Sequence, residues 1–406
     1  MIFDVEEVRQ DFPILNQMVH EKPLVYLDNG ATTQKPLSVI NAISAYYKKD
    51  NSNVHRGAHV LSDRATIAFE DARKTVQTFL NAQHSEEIIW TRGTTESINL
   101  VAQSFGLKFI SAGDEIIVSA MEHHANIVPW QMLCERTGAI LKVIPVNDAG
   151  ELNMQAFTEM LSHKVKMVSI VHVSNALGTV NPVAKIIEQA HSVGAKVLID
   201  GAQSVAHFEV DVQALDADFY AFSGHKVFGP TGIGCLYGKK ELLDQMPPIN
   251  GGGEMIEKVS FSGTTYQGLP FKFESGTPNI SGAIGLDAAL KYLMALDREA
   301  MLKHENDILN YAHEKAKQCE HLRLVGTAKN KAGVLSFLLE GAHPADVGLL
   351  LDQQGIAVRT GHHCAMPIMD QYKIPGTARA SFSIYNTRED VDALFTAIEK
   401  VKTFLL

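Results

Sequence analysis

A regular alternation of short apolar runs with longer amphipathic segments constrains the fold more than any other feature. The apolar run 116–119 precedes a helical pattern over 124–136, and the run 167–173 precedes a helical pattern over 182–193. Within 95–105, apolar residues recur at i, i+3, i+4 and i+7, which predicts a helix. Short strands alternating with helices are typical of a mostly parallel sheet covered on both faces. The sequence therefore predicts an α/β fold.

The alternation ends near Pro278, which suggests a second structural unit. Residues 282–319 are charged and helical in pattern, and predicted strands at 334–339 and 356–359 and a closing helix at 388–405 follow. Domains typically contain about 100–200 residues, so a chain of 406 residues has room for two or three units. We predict a domain boundary near residue 290 and a mobile excursion in the Gly- and Ser-rich segment 250–268.

Charge and cysteine content exclude several classes of protein. With 36 basic and 46 acidic residues the net charge is −10, which argues against a general affinity for nucleic acid or anionic lipid. We expect no membrane helix, because no apolar stretch reaches about 18 residues, and no signal peptide, because the N-terminus is acidic. The four cysteines form no CxxC motif, so we expect neither disulfides nor a metal site, and a cytoplasmic location.

Lys226, in a glycine-rich turn after a predicted strand, is the sharpest chemical feature. An isolated lysine in such a turn is most often solvated. Asp200, however, ends the preceding predicted strand, where open α/β sheets commonly place ligand-facing groups. A lysine and an aspartate on neighbouring strand ends suit pyridoxal phosphate, because the lysine holds the cofactor and the carboxylate keeps the pyridine nitrogen protonated. A helix N-cap is the alternative role for Asp200.

Two further strand ends carry residues that would complete such a site. Thr94 and Thr95 open a predicted helix after Gly93, and hydroxyls and free N–H groups at a helix start bind phosphate, although they also serve as ordinary N-caps. His123 follows another strand, where its ring could stack on a cofactor and transfer protons. A metal site at His123 and His124 is disfavoured, because adjacent side chains diverge and no carboxylate lies at ligand spacing.

Cys364 differs from the other cysteines in its surroundings. Arg359, His362 and His363 lie within five residues of it, and nearby positive charge favours the thiolate. The flanking glycine and proline indicate a short, turned loop. We therefore predict a nucleophilic role for Cys364, whereas Cys134, Cys235 and Cys319 are interpreted as small hydrophobic residues.

These motifs carry a resemblance to a known family. The run Ser-Gly-His-Lys at 223–226 resembles the lysine signature of class V, fold-type I pyridoxal-phosphate enzymes. The run Val-Arg-Thr-Gly-His-His-Cys-Ala-Met-Pro at 358–367 resembles the persulfide-forming segment of group II, SufS-type cysteine desulfurases, and the likeness extends from 11–13 to 381–386. It implies a large domain over 20–290, with a mostly parallel seven-stranded sheet covered by helices. It also implies a smaller α+β domain, formed by 1–19 and 291–406, that carries Cys364.

The resemblance also implies a role for each site residue. Lys226 holds pyridoxal 5'-phosphate and carries protons, His123 stacks on the ring as acid–base, and Asp200 pairs with the pyridinium nitrogen. The other implied cofactor contacts are Gln203 and Asn175 at the ring, Thr94, Thr95, Ser223 and His225 at the phosphate, and Thr277 at the phosphate of the other subunit. The implied substrate contacts are Arg379 at the carboxylate, Asn175 near it, Arg359, and His55 and Arg56 at the entrance, from the same or the neighbouring subunit.

The implied reaction converts L-cysteine to L-alanine and leaves a persulfide on Cys364. A homodimer would then deliver the sulfur to a SufE-like or SufU-like acceptor protein for iron–sulfur cluster assembly in the SUF system. Selenocysteine lyase activity on L-selenocysteine is the alternative, and the Cys364 segment disfavours an aminotransferase or a kynureninase-like enzyme. A weakly catalytic interaction platform is a further alternative, against which the retained lysine, aspartate and cysteine argue.

Overall fold

The computed structural model describes residues 3–406, and its largest element is a seven-stranded sheet. In spatial order the strands are Ile88–Thr91, Gly234–Gly238, Phe219–Ser223, Lys196–Asp200, Val165–Val171, Glu115–Ser119 and Ile140–Ile144. Gly234–Gly238 runs antiparallel to both of its neighbours, and the other neighbouring pairs are parallel. The mostly parallel sheet predicted from the alternation is confirmed.

The central strands are buried on both faces, which explains their continuous apolar character. Every residue of Glu115–Ser119 and Phe219–Ser223 is buried. Successive side chains point to opposite faces, so Ile117 and Ile199 join one hydrophobic core, whereas Ile116 joins the other.

Helices pack on both faces of this sheet and on a second, smaller sheet. The α-helices are Val5–Gln10, Leu37–Ala45, Val60–Leu80, Thr94–Val101, Leu107–Phe109, Val128–Thr137, Met154–Met160, Val183–Ser192, Val212–Leu215, Lys240–Gln245, Ile280–Ala295, Arg298–Gln318, Pro344–Asp352, Met366–Tyr372 and Arg388–Leu405. The helix Val128–Thr137 ends at Gly138, which has a φ of 77°. This left-handed conformation favours glycine, so the predicted helix end at Gly138 is confirmed. No helix within residues 3–406 has the length and apolarity that a membrane crossing demands.

The second sheet has four antiparallel strands and its own hydrophobic core. Its spatial order is Leu322–Val325, Val334–Leu339, Thr377–Ser381 and Arg359–Gly361. Phe337, Leu394 and Ile398 belong to its core. The short strand Val25–Tyr26 pairs in parallel with Ile356–Ala357, which brings the beginning of the chain beside this unit.

The segment that the sequence predicts as one helical stretch, 282–319, is broken in the structure. Ile280–Ala295 packs on Leu37–Ala45 and Val60–Leu80, whereas Arg298–Gln318 packs on the second sheet. Asp297 begins the second helix, and its carboxylate accepts the N–H of Ala300 at 3.0 Å. We propose that the domain boundary lies at this break, close to the predicted residue 290.

The N-terminal segment contacts both units. Phe12 packs against Phe228 and Tyr385, and Arg9 forms an ion pair with Asp390 at 3.2 Å. The assignment of 1–19 to the small domain stays a prediction, and residues 1 and 2 lie outside the described residues. Within the predicted excursion at 250–268, the strands Ile256–Ser260 and Gly263–Tyr266 form an exposed antiparallel hairpin. Its mobility stays a prediction.

Candidate active site

A cavity of about 220 Å³ lies at the carboxyl ends of the parallel strands. Asp200 and Ser223 are the last residues of two adjacent strands, and Lys226 follows in the turn Gly224–Lys226. Carboxyl ends of parallel strands share one sheet edge, which is why these side chains meet. The other lining residues are Gly30, Ala31, Thr94, Thr95, His123, Ala125, Val171, Asn175, Ala202, Gln203, His225, Arg359, His363, Cys364 and Arg379.

Lys226 and Asp200 line the same cavity and carry opposite charges; Asp200 is buried, whereas Lys226 is half-buried. Burial lowers the pKa of Lys226 to about 8, and the charge of Asp200 opposes that shift. Burial raises the pKa of Asp200. Two contacts lower it, namely the Ala202 N–H, which donates to Asp200 Oδ1 at 2.9 Å, and the charge of Lys226. A lysine with a pKa near 8 reaches the neutral, nucleophilic form close to neutral pH.

One end of the cavity is built to receive an anion. The Thr94 N–H donates to Ser223 Oγ at 2.9 Å, and Thr94 Oγ1 lies at the same distance from it. Gly93 has a φ of 147°, and a Cβ there would lie 3.0 Å from Ser223 Oγ, so a glycine keeps the turn close to the strand end. Burial and the charge of Lys226 lower the pKa of His225 to about 4. Hydroxyls, a neutral imidazole and the start of Thr94–Val101 suit a phosphate.

His123 enters the cavity as a neutral ring. Burial lowers its pKa to about 3, and the charge of Lys226 adds to this effect. Its Nδ1 accepts the N–H of Ala125 at 3.0 Å. A neutral imidazole with Nδ1 as acceptor carries its proton on Nε2, so His123 has one proton to donate.

Arg379 reaches the cavity from the second sheet and is held on two sides. Its Nη1 donates to the carbonyl of Asn175 at 2.8 Å and its Nη2 to Asp28 Oδ1 at 3.1 Å. The side chain is 1% exposed. A Cβ at Gly30 would lie 3.1 Å from the Arg379 Cζ, so the glycine leaves room for the guanidinium. Such a fixed fork suits a carboxylate.

Cys364 lies in the loop between strand Arg359–Gly361 and helix Met366–Tyr372. The Asn175 side-chain amide donates to the His363 carbonyl at 2.6 Å, which ties this loop to the large sheet. Arg359 Nη2 lies 3.9 Å from the Cys364 sulfur. The loop therefore places a thiol on the cavity wall, with an arginine beside it.

The donor set fits pyridoxal phosphate. A half-buried lysine, a buried acid on the neighbouring strand and a phosphate-type cradle surround one cavity. In addition, Asn175 Oδ1 and Arg379 Nε are buried without a protein partner, so polar groups at this site are left for a ligand. Within residues 3–406 no group of three histidine, cysteine or acidic side chains is arranged to bind a metal ion.

Most of the predicted site residues meet in this cavity, and three do not. The predicted residues that line it are Thr94, Thr95, His123, Asn175, Asp200, Gln203, Ser223, His225, Lys226, Arg359, Cys364 and Arg379. Thr277 lines a separate groove with Arg92 and Glu96. His55 pairs with Glu70 at 3.0 Å, and Arg56 pairs with a second glutamate at 3.3 Å. The roles predicted for Thr277, His55 and Arg56 stay predictions.

Sequence reasoning missed the N-terminal wall of the cavity. Gly30 and Ala31 line it, and Asp28 anchors Arg379. The only sequence signal was the polar turn Asp-Asn-Gly after the apolar residues 25–27. The partner of Asp28 lies 351 residues away, so no local pattern could reveal the pair.

Comparisons with known proteins agree with this geometry. The aminotransferase class-V family profile matches residues 25–394. A probable cysteine desulfurase of Vibrio cholerae is 52% identical over 405 residues, and a cysteine desulfurase of Escherichia coli K12 is 52% identical over 406 residues. Both alignments cover 100% of this chain and 100% of the relative. The crystal structure of the Escherichia coli cysteine desulfurase CsdA superposes with a TM-score of 0.93 at 42% identity, again over 100% of both chains.

Class-V aminotransferases and cysteine desulfurases depend on pyridoxal phosphate, so the predicted cofactor is confirmed. The predicted fold-type I architecture is confirmed by the same family match and by the CsdA superposition. With a family match over residues 25–394 and full-length similarity to two cysteine desulfurases, the chain belongs to the class-V aminotransferase family and, within it, to the cysteine desulfurases.

Proposed function

We propose that this cysteine desulfurase is of the SufS type and moves sulfur from L-cysteine onto Cys364 for transfer to an acceptor protein. The observation that carries the proposal is that the Cys364 thiol, the Lys226 amine and the Arg379 fork line one cavity. These groups correspond to the three parts of the substrate that must be handled, namely its sulfur, its α-proton and its carboxylate.

The chain's residues divide the binding work between two ends of the cavity. Asp200, Lys226 and the cradle of Thr94 and Ser223 would hold the cofactor, which when bound withdraws electrons from the substrate's α-carbon. Arg379 binds the substrate carboxylate with its fork, and its ties to Asp28 and Asn175 orient it in advance.

Proton and sulfur transfer then follow from the remaining groups. Lys226, with a pKa near 8, removes the α-proton, and the neutral His123 supplies a proton from Nε2. The Cys364 thiolate, beside Arg359, attacks the substrate sulfur. An S–S bond forms, the substrate's Cβ–S bond breaks, and its electron pair stays with the carbon skeleton, which is protonated and leaves as L-alanine.

The subgroup assignment depends on the Arg-Thr-Gly-His-His-Cys segment at 359–364, and the family resemblance implies with it a SufE-like or SufU-like acceptor, iron–sulfur cluster assembly in the SUF system and a homodimer in which Thr277 serves the other subunit's phosphate. A cytoplasmic location is proposed separately, because the four scattered cysteines form no CxxC motif. L-selenocysteine is the alternative substrate, because it would present the same carboxylate and amine to the same groups.

Mass analysis of the intact holoenzyme after treatment with L-cysteine, without reductant, tests the proposal. We expect one added sulfur atom on Cys364, and we expect Cys364→Ala to lose that sulfur and nearly all alanine release while keeping its cofactor absorbance. Cys319→Ala is the matched control, since Cys319 lies on the second unit near Glu399 and outside the cavity. Alanine release at the wild-type rate from Cys364→Ala would refute the persulfide route. Parallel rates with L-cysteine and L-selenocysteine decide the preferred substrate.

A further inference from the structure

Two histidines from different parts of the chain hold the backbone of the loop that carries Cys364. The Cys364 backbone N–H donates to His362 Nδ1 at 3.2 Å, and the Cys364 carbonyl accepts the backbone N–H of His124 at 2.7 Å. The Met366 N–H, at the start of the following helix, donates to His124 Nε2 at 3.0 Å. Both backbone groups of Cys364 are therefore bound by these two residues.

The loop needs such support because its backbone is strained. His363 has a φ of 52° and Cys364 a φ of 56°, and both lie in the left-handed region that residues with a Cβ rarely adopt. Two consecutive non-glycine residues in this region persist only where the surrounding contacts determine the conformation. Without the two imidazoles, the free N–H groups of Cys364 and Met366 would favour a relaxed loop.

The hydrogen bonds also fix the state of each ring. His362 accepts at Nδ1 and His124 accepts at Nε2, so neither nitrogen carries a proton in this conformation. The ring centroids lie 5.7 Å apart at an interplanar angle of 35°. Burial lowers the pKa of His124, and the neighbouring His362 adds to the effect, which keeps His124 an acceptor.

We propose that His124 and His362 are positioning residues for the Cys364 nucleophile, whose unprotonated ring nitrogens hold the loop in the conformation that directs the thiol into the cavity. This inference depends on the proposed role of Cys364 as the sulfur-accepting nucleophile. It extends that role to two residues that need not touch substrate or cofactor. His124 does not line the cavity, and neither does His362.

Paired substitutions in the full-length holoenzyme test the proposal. Leucine at either position removes the acceptor. In His362→Asn the amide oxygen takes the place of Nδ1, and in His124→Gln it takes the place of Nε2. His343→Leu is the matched control, because His343 Nδ1 also accepts a local N–H, from Ala345 at 3.2 Å, but outside the cavity. The readouts are kcat and KM for L-cysteine, cofactor absorbance, and hydrogen exchange of the amides in 362–368.

In His362→Leu and His124→Leu we expect kcat to fall about tenfold, because a misplaced nucleophile is costly, while KM stays within about twofold. We also expect unchanged cofactor absorbance and faster amide exchange in 362–368. The Asn and Gln variants should recover most of the loss, and His343→Leu should match the wild type. Wild-type kcat and exchange in both leucine variants would overturn the proposal, as would Asn and Gln variants that are as slow as the leucine variants.

The parallel Cys364→Ala measurement separates this test from that of the proposed function. Full alanine release by Cys364→Ala would refute the nucleophilic role itself. Amide exchange would still report whether the two imidazoles hold the loop.

Discussion

Arg379→Lys tests the proposed carboxylate-binding role of Arg379 most directly. Arg379 uses Nη1 on the Asn175 carbonyl and Nη2 on Asp28, at 2.8 and 3.1 Å, while its Nε has no protein partner. A lysine carries the same charge on a single ammonium group. The lysine ammonium can hydrogen-bond Asp28 or a substrate carboxylate. It lacks the planar guanidinium that can bind both at once.

The expected loss follows from the contacts that the lysine cannot make. A hydrogen bond to a charged group contributes about 1.5–3 kcal/mol, which corresponds to about one to two orders of magnitude in kcat/KM. An arginine that only braced the surface through an ion pair would contribute less than about 1 kcal/mol. The 1% exposure of Arg379 argues for the larger value. Cofactor content should not change, because the proposed phosphate cradle of Thr94 and Ser223 does not include Arg379.

Steady-state kinetics with L-cysteine, measured beside the cofactor content of the same preparation, provides the assay. Arg388→Lys is the matched control, since Arg388 forms an exposed ion pair with Asp307 at 2.6 Å outside the cavity. We expect Arg388→Lys to match the wild type. An Arg379→Lys enzyme with full cofactor and an unchanged kcat/KM would refute the carboxylate role.

Two further predictions concern charge and packing. In the cofactor-free protein, the reactivity of Lys226 with an amine reagent should rise through about pH 8 instead of its ordinary pKa of 10.5, because burial disfavours the charged amine. Asp200→Asn should move this transition to lower pH, since the carboxylate favours the charged form, and an unmoved transition would contradict the pairing. Phe12→Ala should lower the free energy of unfolding by about 3–5 kcal/mol, because Phe12 is fully buried against Phe228, Tyr292 and Tyr385. Denaturant titration measures this change. A change under about 1 kcal/mol would show that the N-terminal segment does not join the core.

The chemistry at the strand ends could be predicted from the sequence because it is local. Asp200 ends a buried apolar strand, and Lys226 and Thr94 follow such strands within a few residues. The topology of a parallel sheet brings these positions to one edge. The type of each residue and its place after a strand were enough to predict a cofactor site. No contact had to be known in advance.

The helical region 282–319 was predicted less well, because a capping residue divides it into two helices although its periodicity is continuous. Residues 282–319 have helical periodicity throughout, yet Asp297 begins a second helix that packs on a different core. A break of this kind is decided by where each helix can bury its apolar face, and that depends on the surrounding units.

By itself, the sequence determined the α/β architecture and the pyridoxal-phosphate chemistry, and it predicted the cofactor contacts at the strand ends and Cys364 as the nucleophile, because periodicity and residue chemistry act over short distances. Only the tertiary structure decided how the second sheet closes the site. Arg379 meets Asp28 across 351 residues, and His124 holds the Cys364 loop across 242 residues at Met366. Such contacts arise from the packing of two separate cores against each other, and no interval along the chain encodes which distant polar groups will then meet.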